Sequence, residues 1–252
     1  MIYSEVTRFY NAYKGKKCVI GYSFEGRNIY AFHVGNDFGK QFIAVYAVHA
    51  REYITARLAL RHVREGAAGG GWIIPLLNPD GVEICERGDK PGDRLWKANA
   101  RGVDLNCNFD ADWGTGKLNT RTRGGENCIG DYPFSESETA ALARFTQRVK
   151  PYVTLSFHTK GGEVYWEFDG SGDERGALIL ADFTGYTAKK ITGSAGGYKD
   201  WCIQKLGIPA YTVECGFDDL THPIRSLGRI KECYNLLKHF TENYGKGQYG
   251  KR

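Results

Sequence analysis

Short runs of apolar, β-rich residues alternate along this chain with stretches that have a helical pattern. The runs are bounded by turn residues, and three of them are almost continuously apolar, which is typical of strands covered by helices on both faces. The strand candidates are IYAFHV from Ile29, FIAVYAV from Phe42, WIIPLL from Trp72, YVTLSF from Tyr152 and AYTVE from Ala210. The helix candidates are residues 53–65, 135–149 (with Ser135 as the N-cap), 197–206 and 222–244. The alternation predicts an α/β fold with a mixed, mostly parallel central sheet and helices on both faces.

The size and composition indicate one globular domain. The chain has 252 residues, of which 42% are hydrophobic and 25% charged, and it shows no internal repeat and no linker. We therefore predict a single domain over residues 1–252. The net charge of +5 is spread along the chain without a basic stripe, which argues against a nucleic acid partner. No stretch approaches the ~20 apolar residues of a membrane helix, so we expect no membrane span.

The N-terminus and the cysteines indicate the cellular compartment. The first residues, MIYSEVTRFYNAYKGKK, lack a basic start followed by an apolar segment, so no secretion signal is recognised. The seven cysteines are an odd number without close CxxC pairs, which argues against a disulfide framework or a zinc ribbon. We therefore expect a cytoplasmic protein.

Four side chains suited to metal or proton chemistry follow three of the predicted strands. His49 and Glu52 lie three residues apart in HARE, His158 follows the YVTLSF run, and Glu214 ends AYTVE. Any one of them is weak evidence, because HxxE pairs arise by chance and a lone histidine is more often structural. However, the carboxyl ends of parallel strands meet at one edge of a sheet. Because a catalytic zinc ion takes three ligands from His, Asp and Glu, the pattern predicts a zinc site there.

Six motifs then occur in an order that resembles the M14 zinc carboxypeptidase family: HARE with YIT, PLLNPDGVE, GVDLN, SFHTKG, GGYKDW and TVECG. The resemblance implies a zinc carboxypeptidase-like fold in which His49, Glu52 and His158 bind Zn²⁺. It also implies that Glu214 is the general base of a peptide hydrolysis and that Asp104 orients the first zinc histidine. The other histidines fit no motif and are interpreted as structural or surface residues: His33, His62, His222 and His239.

Two cationic positions of the family pattern are occupied differently here. Lys97 stands where the family has an arginine, and lysine supplies a point charge without a bidentate fork. We predict that Lys97 stabilises the oxyanion, with Arg101 and Arg94 as alternatives. Asn106-Cys107 replaces the Asn-Arg pair with which family members bind a terminal carboxylate, and a neutral thiol cannot form that pair. The change makes a strict C-terminal exopeptidase less favoured.

The predicted substrate pocket departs from the family as well. Lys199 stands at the base of the pocket for the side chain after the cut, where it would suit a carboxylate. Thr192 replaces a mobile tyrosine, for which Tyr198 or Tyr186 could substitute. The residues that we assign to substrate binding are Arg51, Arg101, Asn106, Cys107, Tyr198 and Lys199.

Together, these changes resemble the bacterial branch that hydrolyses the bond between γ-D-glutamate and meso-diaminopimelate in peptidoglycan peptides. Diaminopimelate carries a second amino acid head, whose carboxylate Lys199 would receive. We therefore expect a cell-wall muropeptide as the substrate, met inside the cell or after lysis. The alternatives are an ordinary metallocarboxypeptidase that prefers acidic C-terminal residues, a deacylase of N-acyl amino acids on the same fold, and a non-catalytic peptide-binding pseudoenzyme. The presence of Glu214 together with all three ligands argues against the pseudoenzyme.

Overall fold

A mixed sheet forms the centre of the molecule. The computed structural model describes residues 1–244. Within this range the strands are β1 (Lys17–Tyr22), β2 (Asn28–Gly35), β3 (Gln41–Tyr46), β4 (Gly70–Ile74), β5 (Val153–His158), β6 (Glu163–Tyr165), β7 (Glu167–Phe168), β8 (Ser171–Gly172), β9 (Thr187–Lys189) and β10 (Ala210–Glu214). Eight of them form one sheet in the order β1-β2-β4-β3-β5-β10-β6-β9, and β7 pairs with β8 separately.

The four central strands of the sheet, β4, β3, β5 and β10, run parallel. Antiparallel pairs lie outside them, with β1 and β2 at one edge and β6 beside β10 at the other. The five strands expected from the sequence correspond to β2, β3, β4, β5 and β10, and the mixed, mostly parallel sheet is confirmed. The parallel arrangement brings the carboxyl ends of β3, β5 and β10 to the same edge, where the predicted site residues begin.

Helices cover both faces of the sheet. They are α1 (Ile2–Ala12), α2 (Ile54–Glu65), α3 (Pro79–Arg87), α4 (Ser137–Val149), α5 (Glu174–Thr184), α6 (Tyr198–Leu206) and α7 (Leu236–Tyr244). Residues of α1, α2, α5 and α7 pack into one hydrophobic core, and residues of α4 and α6 pack into the other. The single-domain α/β fold with helices on both faces is therefore confirmed. Among residues 1–244, every helix is too short or too polar to cross a membrane.

Strand β3 shows why the central strands are apolar at successive positions. Phe42 and Tyr46 enter the core beneath α2, whereas Ile43 and Val45 enter the core beneath α4 and α6. Successive side chains of a strand point to opposite faces, so a strand between two helical layers has no face for water. The FIAVY run is thus required by the three-layer architecture.

The predicted start of the fourth helix is wrong by two residues. Helix α4 begins at Ser137, and Glu136 occupies the N-cap position without capping through its side chain. Ser135 does not cap the helix, because its hydroxyl donates to Glu136 Oε1 over 2.8 Å.

The predicted helix over residues 222–244 is also wrong in its first half. The chain forms a 3₁₀ segment at Leu227–Cys233, in which Ile230 is non-helical, and the α-helix begins only at Leu236. Pro223 and Gly228 explain the difference, since proline cannot continue a helix and glycine weakens one.

Candidate active site

A tight turn after β3 presents His49 and Glu52 at the edge of the sheet. Ala47 adopts a positive φ of 47°, which turns the chain away from the strand direction. The Thr55 hydroxyl joins the two sides of the turn: it accepts from the Ala47 amide over 2.9 Å and donates to the Glu52 carbonyl over 2.9 Å. The HARE segment is thereby held between β3 and α2, and its two polar side chains share one side of the turn.

His158, at the end of β5, completes a cluster with those two side chains. Its Nδ1 atom lies 3.1 Å from His49 Nδ1 and 2.9 Å from Glu52 Oε2, and His49 Nδ1 lies 2.8 Å from Glu52 Oε1. All three residues are buried, and their donor atoms lie within 4.8 Å of one another. Two imidazoles and a carboxylate gathered in this way are the donor set of a catalytic zinc site.

The electrostatics of the cluster favour a bound cation. Burial works against the charged form of His49, but the Glu52 and Asp104 carboxylates together raise the pKa of His49 to about 9. Burial also works against the charged form of Glu52, and the two histidines nevertheless hold its pKa below the ordinary value. The three donors thus stabilise positive charge between them, and they fit the requirements of a divalent metal.

Asp104 and Lys97 lie behind His49. Asp104 Oδ1 is 3.2 Å from His49 Nε2, the ring nitrogen opposite the cluster, and Asp104 Oδ2 is 2.7 Å from Lys97 Nζ. The ammonium of Lys97 also donates to Asn127 Oδ1 over 3.2 Å. Burial disfavours the charge of Lys97, but the Asp104 carboxylate raises the pKa of Lys97 above its ordinary value. Lys97 is therefore a fixed cation, and its ammonium has donor capacity beyond the hydrogen bond to Asn127.

Glu214 is positioned by the pairing of two parallel strands. It lies opposite His158 in the register of β10 and β5, so the carboxylate stands next to the cluster. Burial, and then the nearby Glu52 carboxylate, raise the pKa of Glu214 to about 8. Its environment suits a group that accepts and returns a proton near neutral pH.

A cavity of about 460 Å³ opens in front of these groups. His49 and Glu214 contribute to its floor, and three lysines contribute to its lining: Lys97, Lys117 and Lys199. The lining also includes Asp104, Asn106, Cys107, Leu118, Asn119, Asn127, Tyr165, Thr192, Ser194 and Asp200. The loops before and after residue 117 and the segment over residues 191–200 form its walls.

The sequence of the chain from β4 onwards decides the family. A family model described as zinc carboxypeptidase, Peptidase_M14, matches residues 71–232. The chain belongs to the M14 zinc carboxypeptidase family. The match includes His158 and Glu214, whereas His49 and Glu52 precede it and join the site through the geometry described above.

Individual relatives of this M14 peptidase support the same assignment. It is 32% identical over 178 residues to gamma-D-glutamyl-L-diamino acid endopeptidase 1 of Lysinibacillus sphaericus, which covers 63% of this chain and 45% of the relative. It is 29% identical over 274 residues to carboxypeptidase B of Rattus norvegicus, covering 90% of this chain and 65% of the relative. The chain thus spans less than two thirds of the length of both curated relatives.

Among solved structures, the fold of this M14 peptidase is similar to that of bovine thrombin-activatable fibrinolysis inhibitor in complex with tick carboxypeptidase inhibitor. The TM-score is 0.82 at 22% sequence identity, with 97% of this chain and 96% of that chain covered. A likeness at this identity establishes the carboxypeptidase fold.

Two of the predicted substrate-binding arginines of this M14 peptidase are engaged away from the cavity. Arg51 is 2.5 Å from the Glu126 carboxylate, and Arg101 is 3.2 Å from the Asp131 carboxylate. Neither arginine lines the cavity, and Arg94 does not line it either. Of the three cations predicted to stabilise the oxyanion, Lys97, Arg101 and Arg94, the one that lines the cavity next to the cluster is Lys97.

The tyrosines are arranged differently from the prediction. The Tyr198 hydroxyl is buried and shares a 2.8 Å hydrogen bond with Thr146, so it does not reach the cavity. Tyr186 bonds to Glu232 and is likewise absent from the lining. Instead, Tyr165 lines the cavity from β6. Tyr165 could not be predicted from the sequence, because β6 is a three-residue strand and too short for a periodic pattern.

The remaining predicted pocket residues do line the cavity. Burial, followed by the Asp104 charge, raises the pKa of Cys107, so Cys107 is a neutral thiol. Asn106 Oδ1 accepts from the Tyr198 amide over 3.1 Å and joins the wall to the start of α6. Lys199 Nζ lies 2.5 Å from Asp200 Oδ1, and both side chains are buried. The charge of Lys199 therefore comes with a carboxylate of opposite sign.

His222, interpreted from sequence as structural or surface, lies near the cluster. Burial lowers the pKa of His222, and the Glu52 carboxylate acts in the opposite direction. Its Nδ1 atom is buried without a hydrogen-bond partner within residues 1–244. Nothing in the motif pattern singles out this residue, because the loop after β10 brings it back only in the folded chain.

Proposed function

We propose that this M14 peptidase uses Zn²⁺ to hydrolyse the γ-D-glutamyl–meso-diaminopimelate bond of peptidoglycan peptides. In this proposal His49, Glu52 and His158 hold the metal. The observation that carries the proposal is the cavity beside the cluster. Among residues 1–244 no arginine lines it, and it offers a buried ion pair of Lys199 and Asp200 instead. A zinc ion in the cluster supplies Lewis acidity, which acidifies water and polarises a carbonyl.

Glu214 is the proposed general base. It accepts a proton from the attacking water and later returns it to the leaving amine. The burial that raises its pKa favours the first of these steps, because a carboxylate in an apolar setting is a stronger proton acceptor than one in water. The positive charge that the cluster favours works in the other direction and keeps the carboxylate ionised before the reaction.

Lys97 is the proposed oxyanion-stabilising residue. The ion pair with Asp104 and the hydrogen bond to Asn127 fix the position of the ammonium, which keeps donor capacity for the developing negative charge on the carbonyl oxygen. Asp104 thereby serves two groups, since it also holds the ring of His49 through Nε2.

The ion pair of Lys199 and Asp200 fits an amino acid head. Such a head carries a carboxylate and an ammonium, which would meet Lys199 and Asp200 respectively. The second head of diaminopimelate has this composition, and the relative from Lysinibacillus sphaericus is named for the same kind of bond. Cys107, a neutral thiol, places no requirement for a terminal carboxylate on the substrate.

The test is an assay of the zinc-loaded protein with L-alanyl-γ-D-glutamyl-meso-diaminopimelate and, separately, with standard peptides that end in acidic residues. We expect release of diaminopimelate from the first substrate. Glu214→Gln should reduce kcat by about 10²–10⁴-fold while the zinc content stays unchanged, because the variant removes proton transfer alone. The matched control is Glu242→Gln on α7, which should leave kcat unaltered.

The second candidate is an ordinary metallocarboxypeptidase that prefers acidic C-terminal residues. It is supported by the similarity to carboxypeptidase B over most of the chain. Cleavage of only the standard peptides in the same assay would favour it over the muropeptide proposal. A peptide-binding pseudoenzyme predicts no chelator-sensitive hydrolysis of either substrate.

A further inference from the structure

The three lysines of the cavity differ in how their charges are balanced. Lys97 is 2.7 Å from the buried Asp104, and Lys199 is 2.5 Å from the buried Asp200. Lys117, in contrast, has no carboxylate partner and no side-chain hydrogen bond within the part of the chain that the structure describes. It is exposed at the rim of the cavity. Of the three ammonium groups, that of Lys117 is the one without a carboxylate partner among residues 1–244.

The backbone around Lys117 is fixed, although its charge is free. Its amide donates to the Gly193 carbonyl on the opposite wall over 2.8 Å, and the Asn119 side chain closes the turn by accepting from the Gly116 amide over 2.8 Å. A Cβ placed on Gly193 would lie 2.8 Å from Lys117 Cδ. The aliphatic stem of the lysine therefore crosses the space that a side chain at Gly193 would fill, and this contact steers the stem along the cavity wall.

A muropeptide brings more carboxylates than the ion pair of Lys199 and Asp200 can bind. Besides the second head of diaminopimelate, the α-carboxylate of γ-linked D-glutamate and the terminal carboxylate of diaminopimelate are both free. Each is a lone anion, and Cys107 cannot pair with it because the thiol is neutral. An anion that enters a partly desolvated cavity gains most from a cation that has no partner already.

We propose that Lys117 binds a lone carboxylate of the substrate, which the neutral thiol of Cys107 cannot do. The inference rests on the proposed hydrolysis for its substrate, but it concerns a residue that lies outside all the family motifs. It makes Lys117 a specificity-determining residue, whereas Lys199 with Asp200 receives the zwitterionic head. Replacing the substrate carboxylate with a carboxamide should therefore matter only while Lys117 is present.

The experiment compares the tripeptide L-alanyl-γ-D-glutamyl-meso-diaminopimelate with two singly amidated forms, one at the D-glutamyl α-carboxylate and one at the terminal carboxylate. In the wild-type zinc enzyme we expect one of the two amides to lose about 10–100-fold in kcat/KM, as for a charged hydrogen bond. That arm identifies which carboxylate Lys117 binds. In the Lys117→Met variant, kcat/KM for the unmodified tripeptide should no longer exceed kcat/KM for that amide. The loss should come from a raised KM for the unmodified tripeptide, with little change in kcat.

Two further variants separate charge recognition from structural effects. Lys117→Arg keeps a cation and should keep the preference for the acid, whereas Lys14→Met removes an exposed charge elsewhere and should leave the preference unchanged. The inference is overturned if Lys117→Met retains the full preference, or if Lys14→Met loses it to the same extent.

A binding measurement keeps this result apart from the proposed function. Calorimetry of the zinc-loaded protein with meso-diaminopimelate, with D-isoglutamate and with their monoamides gives the same comparison without turnover. If the wild-type protein hydrolyses none of the tripeptides, the proposed function fails, and the calorimetric difference between wild type and Lys117→Met still decides the role of Lys117. Equal affinities in the two proteins for the acids and for the amides would refute that role.

Discussion

The floor and the walls of the cavity are built in different ways. We define the floor as the cluster of His49, Glu52 and His158 together with Glu214. These residues follow the carboxyl ends of three parallel strands, and His49 and Glu214 line the cavity itself. The walls are the loops that carry Lys117 and the segment over residues 191–200. Floor residues are fixed by strand pairing, whereas wall residues are fixed by a few hydrogen bonds between loops.

This difference separates reaction from recognition. The floor gathers donors that favour a cation, and His49, Glu52 and His158 contact one another. The walls carry paired charges, such as Lys199 with Asp200, next to an uncompensated one at Lys117. The chemistry of the family can therefore persist while the substrate changes, since loop residues can be replaced without disturbing the strand ends.

The largest effect, a loss of zinc affinity, should come from removing a residue of the cluster in the floor. His158→Gln removes one of three proposed metal ligands, and we expect zinc affinity to fall by more than the roughly 10–100-fold typical of losing a partner behind a ligand. Metal content and chelator-sensitive hydrolysis measure the loss. His239→Gln on α7 is the control, and a His158→Gln protein that keeps one equivalent of zinc and full activity would contradict the assignment.

The stability that His62 provides at the end of β3 should be sensitive to acid. Burial lowers the pKa of His62 to about 4, and its ring bonds to Tyr46 at the end of β3 and to the Cys233 carbonyl. The unfolded chain binds a proton at His62 below about pH 6.5, whereas the folded protein binds it only near pH 4. The associated stability is therefore complete above pH 6.5 and falls by about 3 kcal/mol as the pH is lowered through this window.

The measurement is the free energy of unfolding from urea titrations between pH 4 and 7. His62→Gln keeps a donor and an acceptor but does not titrate, so its stability should fall less over this window than that of the wild type. Parallel pH profiles for the two proteins would show that His62 is not the titrating group.

A smaller effect is expected where floor and wall meet. Asp104→Asn weakens the hold on both the His49 ring and the Lys97 ammonium, and we expect zinc affinity to fall by roughly 10–100-fold. Competition with a chelator of known affinity measures it. The matched control, Asp131→Asn, changes an exposed carboxylate that pairs with Arg101, and it should leave the affinity unaltered.

The smallest effect belongs to the outer rim. Glu126→Gln breaks the ion pair with Arg51, which is largely exposed on the glutamate side. Such pairs contribute less than about 1 kcal/mol to stability. We therefore expect the unfolding equilibrium constant and KM each to change by less than about fivefold. A larger change in KM would place Arg51 in contact with the substrate, as the sequence analysis predicted.

The fold could be predicted where a single segment carries its own pattern. The apolar runs of β2, β3, β4, β5 and β10 were recognised because burial on both faces leaves few polar positions. Strand β1 was missed because none of its residues is fully buried, and β6 and β9 were missed because each has only three residues. Helix α3 was missed although Asn78 caps it and Pro79 opens it, because NPDG was interpreted only as a motif.

The candidate site follows the same division. The positions of the floor residues followed from strand ends, but the directions of the loop side chains did not. Arg51 and Arg101 were assigned to the substrate, yet their partners, Glu126 and Asp131, come from a distant loop. Lys117 was overlooked for the same reason: its importance depends on which other lysines already have partners, and contacts of that kind are not visible in a motif.

The opposition of His158 and Glu214 in the register of β5 and β10 has a consequence for how such a protein can be altered. An insertion of one residue within either strand would turn one of the two side chains toward the opposite face. The wall loops have no such periodicity, so a change in their length is tolerated better than one in a strand. Laboratory libraries that vary loop length around Lys117 should therefore yield folded, metal-competent variants with new substrate ranges, whereas length changes in β5 or β10 should yield inactive proteins.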